Sequence, residues 1–209
     1  MPYLTWLIFA ILGVVISLVA RRNTKSLVTR SNVKIINDAT QPGERKLDKN
    51  LYDELKRIAY SVQYKQLQLA DPGDKEILYG VLMDWDFEGQ AIITLVSFKS
   101  GEASLYFSSG AVIIGGGQYA EVREASKRFV EKSESLLPGA SRADTALTTE
   151  KGILKFYLLT NKGKYAVQDK MTNVNTNNSR LNDMFNEGNK LISYIRMAEE
   201  RIRQKGNNN

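Results

Sequence analysis

Residues 1–20, MPYLTWLIFAILGVVISLVA, are apolar on every side and carry no charged side chain, so no face of a helix built from them is reserved for water. At 1.5 Å per residue such a helix extends about 30 Å, the hydrocarbon thickness of a bilayer. The pattern predicts a transmembrane helix over residues 1–20. A cleaved signal peptide would carry Lys or Arg ahead of the apolar run and a small residue three positions before the cut. Here the first five residues are uncharged, and bulky Leu18 occupies the small-residue position of a Leu18-Val19-Ala20 site. An exported domain released by cleavage is the weaker alternative.

Residues 21–47 lose the apolar run and end in a polar stretch containing Pro42-Gly43, which reads as a linker. From Asp48 the period changes again. Leu51, Leu55, Ile58 and Val62 recur at helical spacing, with Asp48 or Asn50 available as a cap, and Asp71-Pro72-Gly73-Asp74 reads as a turn. Strands are predicted at Ile77–Phe87, Ala91–Phe98 and Ala103–Ile114, the last broken at Ser109-Gly110. After Gly115-Gly116-Gly117, the positions Val122, Ala125, Phe129, Val130, Ser133 and Leu136 trace a second amphipathic helix.

Residues 138–152 read as a long surface loop, followed by a hairpin of Ile153–Thr160 and Lys164–Gln168. A polar Asn- and Thr-rich segment at 171–179 precedes a third stripe, running from Leu181 through Leu191 and Ile195 to Ile202. That stripe predicts a helix of about seven turns whose distal part, Ile195 to Lys205, is the part expected to project toward partners.

The expected fold class is therefore α+β. An N-terminal transmembrane helix is followed by one domain, residues 48–206, with an antiparallel sheet of about five strands and three flanking helices in the order α-β-β-β-α-β-β-α. Residues 207–209 are expected to form a disordered tail. In element order alone this is similar to the profilin-like and roadblock-like sensory and scaffold domains. No residue motif of those families is matched, so the resemblance carries over no functional residue.

Composition narrows the chemistry. The 209 residues are 43% apolar and 25% charged and contain no His and no Cys. Imidazole-based triads and the usual zinc, haem and iron–sulfur ligand sets are excluded. Net charge is +6, but residues 1–47 hold seven Lys/Arg and two Asp/Glu, leaving 22 against 21 for the rest. The domain is nearly neutral, so no nucleic-acid partner is expected. Arg21, Arg22, Lys25, Arg30 and Lys34 collar the C-terminal end of the span with no acidic residue before Asp38. The positive-inside rule then places the C-terminal domain in the cytoplasm and the N-terminus outside, with the collar against anionic headgroups. Gly13 and Ser17 form a small-xxx-small pair that would let two spans of a homo-oligomer approach closely.

Two local patterns carry candidate chemistry. Strand alternation sends Asp84, Asp86 and Glu88 to one face and Trp85 and Phe87 to the other. Three carboxylates on one face are a candidate divalent-metal or acid–base site, and an edge strand blunted by charge has the same pattern. Gly115, Gly116 and Gly117 ahead of a helix are a candidate phosphate cradle. They lack the spacing of either nucleotide fingerprint, so a tight strand-to-helix turn is the plainer account. Ser108-Ser109-Gly110 has no His partner anywhere in the chain. No cofactor is expected. The sequence points to a single-pass, membrane-anchored, non-enzymatic scaffold or assembly subunit of a prokaryote that binds other proteins. A membrane-tethered ligand sensor or metal-dependent enzyme using one of the two patterns is the alternative.

Overall fold

Strand β1, Leu78–Phe87, is buried over its first eight residues, and everything else in the domain is arranged to cover it. It pairs antiparallel with β2, Ala91–Phe98, on one side and with β6, Ile153–Thr160, on the other. The register shifts between Leu78 and Gly80. This bulge re-phases the alternation, so that Leu78, Val81, Met83 and Trp85 share one face while Tyr79 and Leu82 reach the opposite one. The computed structural model describes residues 49–87, 89–143 and 149–207, within a compact unit spanning residues 47–209.

The sheet has seven strands in the order β4-β3-β2-β1-β6-β7-β5, with every pairing antiparallel. Beyond β2 lie β3, Ala103–Phe107, and β4, Val112–Ile113; beyond β6 lie β7, Gly163–Lys170, and β5, Ser141–Arg142. The expected five strands become seven because each sheet edge carries a two-residue strand. The break at Ser109-Gly110 turns the chain back, with Gly110 at φ +99°, so the third predicted strand is a hairpin of β3 and β4. In the expected long loop, Ser141 and Arg142 pair with Ala166 and Tyr165 of β7. Two exposed polar residues give no alternation to read.

Among the described residues four α-helices cover this sheet, where three were expected. One face holds α1, Lys49–Ser61, with the 3-10 turn Tyr64–Leu67 beside it. The other holds α2, Ala120–Ser133, and α4, Asn182–Asn207, with the short α3, Met171–Asn175, packed through Val174. The α3 turn lies in the polar segment that carried no helical signal of its own. Helix α4 runs through Asn207, so the expected tail begins inside a helix. Its distal half does not project at Ile195 and Ala198, which are buried, and Arg201 pairs with Glu121 of α2. Lys132 of α2 meets Glu187 of α4 at 2.7 Å, so these two helices lie antiparallel. With apolar layers on both faces, β1 and β6 read as nearly continuous hydrophobic runs.

Helix α1 is rolled relative to the expected stripe. Leu51 is 42% exposed, and the buried face is Tyr52, Lys56, Ala59 and Tyr60. The helix ends at Ser61, ten residues before the Asp71 turn, and a 3-10 turn at Tyr64–Leu67 fills the gap. The expected span over residues 1–20, with Gly13, Ser17 and the collar residues Arg21, Arg22, Lys25, Arg30 and Lys34, lies outside the described residues. Among the described residues no helix is long and apolar enough to cross a membrane.

Candidate functional site

The carboxylates of β1 are built into the α1 face. Alternation carries Asp84 under α1, where it is fully buried. Its Oδ2 accepts from the Lys56 ammonium and the Thr149 hydroxyl, and its Oδ1 accepts from Thr94 Oγ1 at 2.7 Å. Tyr52 OH lies 2.8 Å from Thr94 Oγ1. The Lys56 ammonium also sits over the Tyr157 ring, 5.4 Å from its centroid. Burial, and after it the Asp84 carboxylate, raises the Tyr52 and Tyr157 phenols well above the usual tyrosine range. Both therefore stay neutral beside the ion pair. Burial lowers the pKa of the half-buried Lys155, with Asp84 opposing and Lys56 reinforcing.

Asp86 does a different job at the mouth of the same strand. Its Oδ1 accepts the Gly89 amide at 3.0 Å and its Oδ2 the Gly152 amide at 2.7 Å. It therefore closes the β1–β2 turn and fastens the approach to β6. Glu88 lies outside the described residues. Both described carboxylates thus spend their acceptor capacity on protein donors. Among the described residues there is no group of three or more His, Cys, Asp or Glu side chains that could hold a metal. None of the buried side-chain polar atoms there lacks a partner.

The triglycine segment forms the turn into α2. Gly115 is left-handed at φ +86°, and Gly116–Gln118 make one 3-10 turn in which Tyr119 N donates to Gly116 O at 3.0 Å. A Cβ on Gly117 would lie 3.0 Å from both Glu102 Cα and Gly101 O, and one on Gly116 would lie 3.1 Å from Ala103 O. The glycines therefore let this turn press against the start of β3. Ser108 Oγ accepts the Ile92 amide at 2.8 Å and ties the β3–β4 turn to β2. The three patterns singled out in the sequence are thus separate. The Asp84 network is on the α1 face, the glycines lie under α2 and α4, and Ser108 belongs to a strand turn.

A further feature is one that the sequence did not single out. On the α2/α4 side, a groove of about 1150 Å³ lies between α4 and the end of the sheet. Trp85, Ile93 and Leu105 form its floor, and Phe107, Val112 and Ile113 form the strand-side wall. The helical wall is one face of α4, Phe185, Asn189, Ile192, Arg196 and Glu199, together with Met171 and Asn175 of α3. The two walls close at one end, where the Trp85 and Phe185 rings meet edge to face with centroids 6.0 Å apart. Four of the five large apolar side chains exposed among the described residues belong to this groove or adjoin its lining in sequence. Phe87 is 48% exposed and Val112 39%, while Ile114 and Met197 follow Ile113 and Arg196. The alternation that sent Trp85 and Phe87 away from the carboxylates was the available signal. What it could not show was that a groove opens beside them.

No family model, curated protein or solved structure matches this chain.

Proposed function

We propose that this protein is a single-pass, membrane-anchored, non-enzymatic scaffold or assembly subunit whose cytoplasmic domain docks other proteins in the groove between α4 and the end of the sheet. The observation that carries the reading is a groove whose lining includes the exposed apolar side chains Phe87 and Val112 beside the partly buried Phe107, Ile113, Phe185 and Ile192. Scattered surface apolar residues are ordinary, but a contiguous patch in a cleft is the mark of an interaction site. The membrane half of the proposal rests on the uncharged segment 1–20 and the basic collar behind it. A tether confines the domain to the membrane plane and raises its effective concentration toward membrane partners. The charge-balanced domain and the engagement of both oxygens of Asp84 and of Asp86 by protein donors favour docking over catalysis.

A photo-crosslinking residue at Phe87, compared with one at exposed Arg128 on α2, tests this in native membranes. Protein adducts at position 87 and none at 128 are expected. Equal labelling at both, or labelling of lipid alone at 87, overturns the reading. A reporter fused after Asn209 tests sidedness: a signal from outside the membrane would remove the cytoplasmic assignment.

A further inference from the structure

Resting on the docking reading above, we infer that the occupant of the groove is an amphipathic partner helix lying antiparallel to α4, with an acidic side chain in its first turn that pairs with Arg196. The geometry of the wall sets the shape of the guest. Phe185, Asn189, Ile192, Arg196 and Glu199 lie on one helical face spaced over fourteen residues. At 1.5 Å per residue this face is about 21 Å long, the length of a four-turn helix. The volume of about 1150 Å³ exceeds the usual small-molecule pocket. On this side of the sheet the covering elements are helices, and Trp85, Ile93 and Leu105 at the base of the groove are already buried. A helix with apolar residues at i, i+3, i+4 and i+7 would seat above them, against Phe87, Phe107, Val112 and Ile192.

Charge fixes the direction. The two ends of the groove differ: Phe185 stacks on Trp85 at one, and Arg196 and Glu199 stand at the other. Lys190 and Arg201 of α4 are paired with Glu187 and Glu121, and Glu199 also has an interaction partner. Arg196 faces the groove, is exposed, and makes no ion pair among the described residues. A planar guanidinium at the rim of an apolar cleft is suited to a two-pronged carboxylate contact. Acidic residues are favoured in the first turn of a helix, so the guest's N-terminus belongs at the Arg196 end. The guest then runs antiparallel to α4, as α2 does.

The test uses the full chain in lipid nanodiscs with Trp6→Phe, so that Trp85, the other tryptophan of the sequence, reports occupancy by fluorescence. The probes are two synthetic 18-residue helical peptides with one Leu stripe, carrying Glu or Lys in the first turn. Saturable binding is expected to be roughly fivefold tighter for the Glu peptide, and the order should invert in Arg196→Glu. Phe87→Ser, an exposed change, should weaken both peptides while leaving the melting temperature unaltered. Binding of both peptides with no charge preference would overturn the acidic-helix inference and leave the groove reading standing. No saturable Trp85 response, in a protein that still crosslinks partners at position 87, would exclude a helical occupant. Self-association in the nanodisc-free detergent state that is abolished by Phe87→Ser would replace the guest with a second copy. Loss of the position 87 crosslinks themselves would overturn the docking reading.

Discussion

Lys56 of α1 and Asp84 of β1, separated by 28 residues in sequence, meet in the interior as an ion pair with both side chains excluded from water. The pair fastens α1 to the sheet, and its worth depends on what is removed. Desolvating two charges is costly, so the intact pair is a weak source of net stability, whereas a lone survivor is severely unfavourable. Lys56→Met and Asp84→Asn are each expected to lower unfolding free energy by about 3–5 kcal/mol. Lys56→Met with Asp84→Leu should melt above both single variants. Its recovery should be incomplete, because Thr94 and Thr149 lose their acceptor. Denaturant melts of the four proteins give the coupling. A double variant no better than the worse single would show that the hydroxyl network, not the ion pair, holds α1.

The tyrosines around this pair give a pH test. Burial raises Tyr79 and Tyr106 to about 12, and burial with the Asp84 carboxylate raises Tyr52 and Tyr157 further. A phenol whose folded pKa lies above its unfolded value, about 10, contributes stability that is present below pH 10. That contribution is lost as pH climbs through the folded value. Phenolate absorbance should therefore show these four tyrosines silent near pH 10, appearing together with the loss of circular dichroism at higher pH. Ionisation of all ten tyrosines in one step near pH 10 on a still-folded chain would contradict this burial.

Much of the scaffold was legible because its strands are bounded by turn residues and its helices by a clear period. The second and fourth predicted strands have the observed bounds, Ala91–Phe98 and Ile153–Thr160. What the sequence concealed follows from two physical facts. Two-residue edge strands such as Ser141–Arg142 carry no periodicity. A buried charge in α1 also defeats a stripe drawn through apolar residues: the stripe includes Leu51 and passes over Lys56, while the helix turns Lys56 to Asp84 and leaves Leu51 in water. The groove was half legible. Alternation gave the side on which Trp85 and Phe87 lie, but a groove between a helix and a sheet end is a property of how helices tile a sheet, not of any local pattern.

The close fit at the triglycine turn predicts a cost that depends on position within it. Gly117→Ala would press a methyl against the backbone of Gly101 and Glu102, which cannot rotate away. It should destabilise the fold by about 1–3 kcal/mol. Gly115 has open space around its missing Cβ but a left-handed backbone at φ +86°. Asn, which tolerates that conformation, should cost less there than Ala. Thermal melts of the three variants rank these effects. If Gly117→Ala is neutral and instead abolishes calorimetric binding of a nucleotide, the phosphate-cradle reading replaces the packing account.

The α2/α4 layer that forms one wall of the groove should weaken in acid for a traceable reason. Glu187, with a side chain 11% exposed, accepts from Lys132 across the two helices at 2.7 Å. That hydrogen bond, with the Lys132 and Lys190 charges, holds its carboxyl below the usual range against the opposing effect of burial. Glu121 is lowered by a backbone hydrogen bond and by Arg201 at the other end of the same helix pair. A carboxylate whose folded pKa is depressed contributes stability that is present above its unfolded value, about 4.3. The contribution disappears as pH falls through the folded value, since the unfolded chain takes up the proton first. Glu187→Gln should therefore cost about 1 kcal/mol or less at neutral pH, and the gap to the unsubstituted protein should close as pH drops below about 4. Denaturant midpoints measured across that range decide the matter. A gap that persists undiminished in acid would mean that Glu187 acts through packing against α2 rather than through its charge.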